Sequence, residues 1–423
     1  MTIHHQNWSG HTPFNSARFH QPTTIDGLRA IVRNADKIRV IGSRHCFNDI
    51  ADTTGDMVSL SSLDHDLVID REQSTATVNA GITYRELCPQ LHAAGYGLQN
   101  TASLDHITVI GACMSATHGS GDAHGNLATA VSGLEMVTAR GDLETLTRDM
   151  DEDKFFGAVV ALGALGVVTR VTLDLVPSFA VQQHVYQKLP LANFYDSFDA
   201  IMGSGYSVSL FPTWQEDFID SLWIKQKVDE GVGGAPADPA TFYGATLAPN
   251  GHVWPDPPDR HWTPVGTVGP WHERLPHFYF NDAQREGNEL QSEYFVARHH
   301  AVAALKVVAG LAQHLPPILS VSEIRSVAAD QLWLSTAYGH DVVAIHFNWH
   351  KNGPQVKAFL PVLEEQLAPF EPRPHWGKLF ELTPARVQPR YPRLADFQAL
   401  ASDFDPEGKF RNTYVDRYIF GAP

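Results

Sequence analysis

Cysteine is scarce in this chain of 423 residues. Only Cys46, Cys88 and Cys113 occur, none in a CxxC pair, which excludes a disulfide framework. Positive charge is also short: 31 Lys and Arg stand against 47 Asp and Glu, a formal net charge of −16. So acidic a surface argues against nucleic acid or an anionic membrane as the main partner. Charged residues of both signs make up only 18% of the chain, below the roughly 25% of average soluble domains, so much of it is expected to be buried. The apolar stretch Ala158–Val168 spans 11 residues including two glycines, about half of what a bilayer crossing requires. The first thirty residues lack a basic start followed by an apolar run, so no signal peptide is visible, and the expectation is a soluble, cytoplasmic monomer. Several signatures are missing too. No GxGxxG follows a strand, no GxxxxGK(S/T) phosphate loop exists and no GxSxG elbow occurs. The 22 histidines contain no HExxH and no Cys/His zinc spacing, so no metal is expected.

What is present is ample core material: 43% hydrophobic and 10% aromatic residues. The length exceeds the roughly 250–300 residues at which one core stops growing, so two domains are expected. Lys37–Ile41, Asp66–Asp70 and Ser74–Ala80 read as strands. Thr83 and Glu86 form a capping box for a helix in which Tyr84, Leu87, Cys88 and Leu91 follow i, i+3, i+4, i+7 spacing. Val167–Val176 alternates as a strand and Pro177 follows it, which places a boundary there. Residues 231–270 hold 7 Gly and 8 Pro and read as one long loop without regular structure. Helical patterning is expected around Tyr294–Gln313, followed by strands over Leu319–Val327 and Asp341–His350.

Three stretches concentrate chemistry. Gly42–Phe47 (GSRHCF) follows a strand directly, and its turn can form an anion-binding nest; an ordinary turn with a surface histidine is the plain alternative. Ser103–Gly121 is dominated by small residues that let backbone approach a flat ligand, although small residues also simply pack. In LSVSEIRSV, alternate side chains share a face, so Leu319 and Val321 stand beside Glu323 and Arg325. In DVVAIHFNWH, Ala344 shares its face with His346 and Asn348. Buried charges cost several kcal/mol unless paired. Such strands therefore build either a structural ion-pair network or a polar active-site floor.

GSRHCF (42–47), SLDHITVIG (103–111), THGSG (117–121), GPWHERLPHF (269–278), ELQSEY (289–294), SEIRSVAAD (322–330), HFNW (346–349), RPHWGK (373–378) and DPEGKFRN (405–412) together resemble bacterial alditol oxidases. These are vanillyl-alcohol-oxidase-type flavoproteins close to the sugar-lactone oxidases, and the likeness runs from about Trp8 to Tyr418. The resemblance implies an α+β fold. A two-subdomain FAD-binding domain would occupy residues 1–177, and a substrate (cap) domain on an antiparallel sheet with helices residues 178–400. A tail, 401–423, would return to the flavin. It implies FAD bonded covalently to His45, with Ile41, Gly42, Ser43 and Arg44 at the pyrophosphate. Ser103, Thr108, Gly111, Ser115, Ala116, Thr117, His118 and Val168 would line the cofactor. The family's usual Ser after the histidine is Cys46 here.

For the substrate, the resemblance carries over Ser103, Gln291, Glu323, Arg325, His346 and Lys378, while Asn348 stands where alditol oxidases commonly have Thr. The activity implied is oxidation of a terminal alcohol of a polyol such as xylitol or sorbitol to the aldehyde. Hydride passes to flavin N5, and oxygen is reduced to hydrogen peroxide. Arg325 is expected to be the cation that stabilises reduced flavin. Lys378, its pKa depressed by a neighbouring cation, or His346 is expected to take the hydroxyl proton, with Glu323, Asn348 and Gln291 holding the polyol chain. The alternatives are a sugar-1,4-lactone oxidase, a carrier-linked polyol dehydrogenase, or a non-catalytic sugar-binding protein.

Overall fold

The structure, a computed structural model, describes residues 6–64, 66–228, 240–249, 251–252, 254, 260–280 and 287–421. The first part carries two sheets. Arg18–His20, Asp56–Val58 and Ile38–Val40 form a small parallel sheet with Asp56–Val58 in the middle. Leu67–Asp70, Thr75–Asn79, Val167–Asp174, Val131–Val137 and Leu143–Thr147 form, in that order, an antiparallel sheet of five strands. The expected helix spans Tyr84–Ala93. Both hydrogen bonds of its Thr83/Glu86 capping box are formed, and Tyr84, Leu87, Cys88 and Leu91 are the buried face.

An antiparallel sheet of ten strands follows. Its centre is the run Phe218–Val228, Ser207–Phe211, Leu319–Val327, Val342–His350 and Glu289–Ala297. On the back of this run Leu290, Tyr294, Ile324, Ile345, Phe347 and Trp349 are fully buried. Two helices cover them, Ala301–Gly310 and Gly353–Leu367, through contacts such as Trp349 on Phe359 and Tyr294 Oη donating to Glu364 Oε1 at 2.7 Å. Burying each such side chain stabilises by about 1.5–3 kcal/mol. The back face thus fixes the strand register, and with it the front face.

Two expectations change. Glu289–Ala297 is a strand, and the helix begins only at Ala301. The strand is flanked by partners on both edges and covered on its back, so apolar residues occur on both faces and blur the two-residue period. Within 231–270, described residues do form short strands: Thr241–Phe242, Ala245–Leu247, Arg260–Trp262 and Gly269–Pro270. The first two make a hairpin through Tyr243 and Gly244, both at positive φ (49° and 87°), the backbone that a two-residue hairpin turn requires. The rest of that stretch, 231–239, 250, 253 and 255–259, lies outside the described residues. The C-terminal segment docks on the first part of the chain. Ile38 N donates to Lys409 O, Arg39 to Phe410 O, and Asn412 Nδ2 to Asp52 O. No described residue beyond Lys378 lines the large cavity described below, so the tail braces the cavity wall from behind. Among the described residues no helix is long and apolar enough to cross a membrane.

Candidate active site

Pairing register brings the polar side chains together. Glu293 lies opposite His346, which lies opposite Glu323 on the next strand. Gln291 pairs with Asn348, and Arg325 with Ala344 on one side and Ser209 on the other. Directly paired residues share a face, so these form one polar floor. Leu319 does not belong to it. A bulge between Leu319 and Val321 pairs Leu319 with Trp349, which turns it to the apolar back, and Val321 alone continues the Glu323/Arg325 face.

Lys378 arrives from the segment after the Arg373–Pro374 strand. His375 N donates to Glu293 O and Leu379 N to Gln291 O, which pin that segment along the sheet. Lys378 Nζ then sits 2.6 Å from Glu293 Oε2 and 3.0 Å from His346 Nδ1. Arg325 donates to Glu293 Oε1 at 2.9 Å and to Ser103 Oγ at 3.2 Å, and its Nε lies 3.4 Å from Glu323 Oε1. His118 Nε2 contacts Glu293 Oε1 at 3.1 Å. Glu293, whose side chain is fully buried, is the hub of this network, and the sequence reading passed over it. It sits two residues beyond Gln291 on the same face. The signal was strand alternation, hidden when its neighbourhood was read as helix.

Burial alone would raise the Glu293 carboxyl, but Lys378, His118 and Arg325 outweigh it and hold it well below its ordinary range. Glu323 is likewise held low: Arg325 and His277 overcome the burial penalty. Burial is the main cause that lowers the Lys378 pKa; Arg325 adds to the lowering, and Glu293 opposes it. Charge repulsion, the expected cause, is therefore secondary. Burial and Lys378 push His346 down to about 3, which keeps it neutral. Arg325 is a permanent cation, yet not an uncompensated one, because two carboxylates flank it. At the outer end Glu289 accepts from both amides: Gln291 Nε2 at 2.8 Å and Asn348 Nδ2 at 2.9 Å.

The floor is one wall of a cavity of about 1770 Å³. Gln291, Glu323, Arg325, His346, Asn348, Lys378 and Ser103 line it, as do Ile41, Gly42, Ser43, Arg44, His45, Thr108, Gly111, Ser115, Thr117, His118 and Val168. Ala116 does not: it is fully buried beneath, with a left-handed backbone (φ 55°). Further lining residues not anticipated include Trp8, His106, His277 and Trp223. The Ile41–Cys46 turn packs closely on Thr108: a Cβ on Gly42 would lie 2.3 Å from Thr108 Oγ1, so only glycine fits.

His45 rests against Trp8, with ring centroids 4.3 Å apart, and beside His106 at 5.3 Å. Both His45 ring nitrogens are buried with no hydrogen-bond partner, and burial lowers its pKa well below the ordinary value. A buried imidazole with two unsatisfied nitrogens is costly. Set in so large a cavity, it fits a bulky group that supplies the missing bond. The cavity exceeds the roughly 300–1,000 Å³ of usual ligand sites, which suits a dinucleotide together with a small substrate.

Comparison with known proteins agrees with this geometry. The FAD binding domain family matches residues 16–147, and the D-arabinono-1,4-lactone oxidase family matches residues 282–418. Cholesterol oxidase from B. sterolicum superposes with a TM-score of 0.77 over 98% of this chain and 96% of its own, at 13% identity, a likeness of fold alone. The FAD-binding domain match, with a relative of 42% identity that is itself an oxidase, defines an FAD-binding oxidoreductase. Alditol oxidase from a Streptomyces species is 42% identical over 98% of this chain and 99% of its own. L-gulono-1,4-lactone dehydrogenase from Mycobacterium tuberculosis is 28% identical over 98% of each chain, and L-gulonolactone oxidase from Mus musculus is 24% identical over 99% and 98%. The chain belongs to the alditol oxidase family.

Proposed function

We propose that this protein is an FAD-dependent polyol oxidase that converts a terminal primary alcohol of an alditol such as xylitol or sorbitol to the aldehyde, with oxygen reduced to hydrogen peroxide. The observation that carries it is the Lys378–Glu293–Arg325 network, with Glu323 and His346, on one wall of the cavity that also holds the unpartnered His45 imidazole. In this reading residues 1–177 hold the cofactor and 178–400 form the substrate half. Bound FAD supplies the two-electron acceptor. Lys378 takes the substrate hydroxyl proton at Nζ from its deprotonated form, which burial and Arg325 make easier to reach by lowering its pKa. A His346 held near 3 is the weaker base. Arg325 and Ser103 orient the reacting carbinol, while Glu323, Gln291 and Asn348 partner the remaining hydroxyls, each of which needs a hydrogen bond once desolvated.

The test is an anaerobic screen of the purified yellow protein with xylitol, sorbitol, glycerol and galactono-1,4-lactone. Bleaching by the alditols, followed by peroxide when air is admitted, supports the proposal; bleaching by none of them refutes it. A second reading, sugar-1,4-lactone oxidase or carrier-linked dehydrogenase, draws on the lactone oxidase match over 282–418. It is favoured if only the lactone bleaches the flavin, or if reduced protein reacts slowly with air and rapidly with an artificial acceptor.

The proposal includes a covalent bond between His45 and the flavin, for which the two unpartnered ring nitrogens are the support. His45→Ala is expected to release all its flavin into the supernatant on acid precipitation, whereas unaltered protein stays yellow in the pellet. Asn348→Thr is a second check. Asn348 Oδ1 is buried without a hydrogen-bond partner while the amide nitrogen is held by Glu289, so the oxygen is free to accept from a substrate hydroxyl. The exchange is expected to change the KM ratio of xylitol to sorbitol by roughly tenfold with kcat little altered, read by steady-state peroxide formation.

A further inference from the structure

The wall beyond Glu323 contains a buried lysine that the chemistry above leaves unused. Lys225, on the Phe218–Val228 strand, is 1% exposed. Its Nζ donates to Leu275 O at 2.5 Å and Pro276 O at 2.9 Å, and lies 3.3 Å from His277 Nδ1. His277 in turn reaches Glu323 Oε1 through Nε2 at 2.7 Å. His277 lines the cavity; Lys225 does not.

Burial pulls the Lys225 pKa well down, but with Glu323 ionised the contacts favour one arrangement, to which Ser209 Oγ, 3.3 Å from His277 Nε2, adds a further partner. The two carbonyls can only accept, so they take two of the three ammonium protons. An ionised Glu323 carboxylate also only accepts, so His277 Nε2 must carry its proton. Nδ1 is then a bare lone pair that receives the third proton of Lys225. Every group is satisfied in this tautomer. Flipping it would set two lone pairs against each other at 2.7 Å.

We propose that Lys225 and His277 are positioning residues: a Lys225–His277–Glu323 relay locks Glu323 as an ionised acceptor for a hydroxyl of the polyol. This rests on the polyol-oxidase reading and names the contact that gives the site its preference for substrates with several hydroxyl donors. His277 and Arg325 both engage Oε1, and the remaining lone pairs of the carboxylate are those a ligand hydroxyl can use. The charged and titratable groups around Glu323 are His277, Arg325, His346 and, further off, Lys225 and Lys378. Around His277 they are Lys225, Glu323 and Arg325, with burial the main reason its pKa falls to about 4. Neutral His277 thus works as a fixed dipole across the working pH range. A lysine needed only to fill space here would be costlier than a methionine, which is why a directed role fits it.

The test compares His277→Phe with His277→Gln. Phenylalanine suits the aromatic surroundings, where Trp223 and Phe211 have ring centroids 5.1 and 5.8 Å away, but it donates nothing. The glutamine amide can restore an N–H near the Nε2 position. For His277→Phe, KM for xylitol is expected to rise at least tenfold with a smaller change in kcat. His277→Gln is expected to recover the KM. Unchanged KM in His277→Phe overturns the relay, and so does equal impairment of the two variants. If no polyol reduces even the unaltered protein, it is the functional reading that has failed. The relay is then judged by nitrogen NMR of 15N-histidine-labelled holoprotein, with the His277 signals assigned by their loss in His277→Gln. A neutral ring protonated at Nε2 that is perturbed by Lys225→Met sustains it; an Nδ1–H ring or an imidazolium at neutral pH overturns it.

Discussion

Arg325→Ala is expected to slow anaerobic reduction of the bound flavin by xylitol by about 10²–10³-fold, the usual cost of deleting one preorganised donor from a site where charge develops. The guanidinium ties three elements together: Ser103 from the cofactor side, Glu293 from the neighbouring strand and Glu323 from its own. Its removal deletes a permanent positive charge and leaves two buried carboxylates facing Lys378 and the histidines alone. Arg325→Lys is expected to recover only part of the rate, since an ammonium cannot reproduce the planar fork that meets several acceptors at once. Stopped-flow absorbance at the flavin band reads both variants. Near-normal reduction in Arg325→Ala would remove the residue from the chemistry.

Glu293→Gln carries the second large effect, on both stability and pH. Breaking a buried ion pair by removing one partner typically costs about 3–5 kcal/mol, because the other partner stays buried and unmatched. Here Lys378 and Arg325 both lose that partner, so a clear fall in Tm is expected. The sign of the pH dependence follows from the depressed carboxyl. The ordinary value is 4.5 and the folded value lies well below it. The stabilisation from Glu293 is therefore complete above about pH 4.5 and disappears as pH falls through the folded value. The variant should lose that acid-dependent component. Glu293 also raises the Lys378 pKa against burial, so without it more of Lys378 is neutral at a given pH. The rising limb of the rate profile should then move to lower pH. A limb unmoved in Glu293→Gln would mean that Lys378 is not the titrating base.

Local signals in the chain were readable where a single segment determines its own structure. The Thr83/Glu86 capping box and the faces of the strands at Glu323/Arg325 and His346/Asn348 are of this kind, because their information lies within ten residues. Relationships set by distant partners were not readable. Whether Leu319 faces front or back depends on a bulge that arises only when its strand meets Trp349. Glu293 became the hub because Lys378, Arg325 and His118 converge on it from three separate segments, and no local periodicity records that meeting. The hairpin at Tyr243–Gly244 was obscured by the glycines and prolines around it, although its two strands are ordinary ones. Lys225 shows the same limit: in sequence it is one lysine in an apolar strand, and only the 275–277 backbone explains it.

Cys46 has a consequence for endurance. It stands next to His45 on the cavity wall, and burial pushes its thiol up to about 11. At neutral pH only about one such sulfur in ten thousand is a thiolate, and the thiolate is the form that attacks peroxide. An enzyme that releases an oxidant within this chamber would therefore keep its nearest cysteine protonated, and self-inflicted sulfenic acid should accumulate far more slowly there than on an ordinary exposed thiol. Turnover number before inactivation, rather than speed per cycle, is the property that a protonated Cys46 leaves intact.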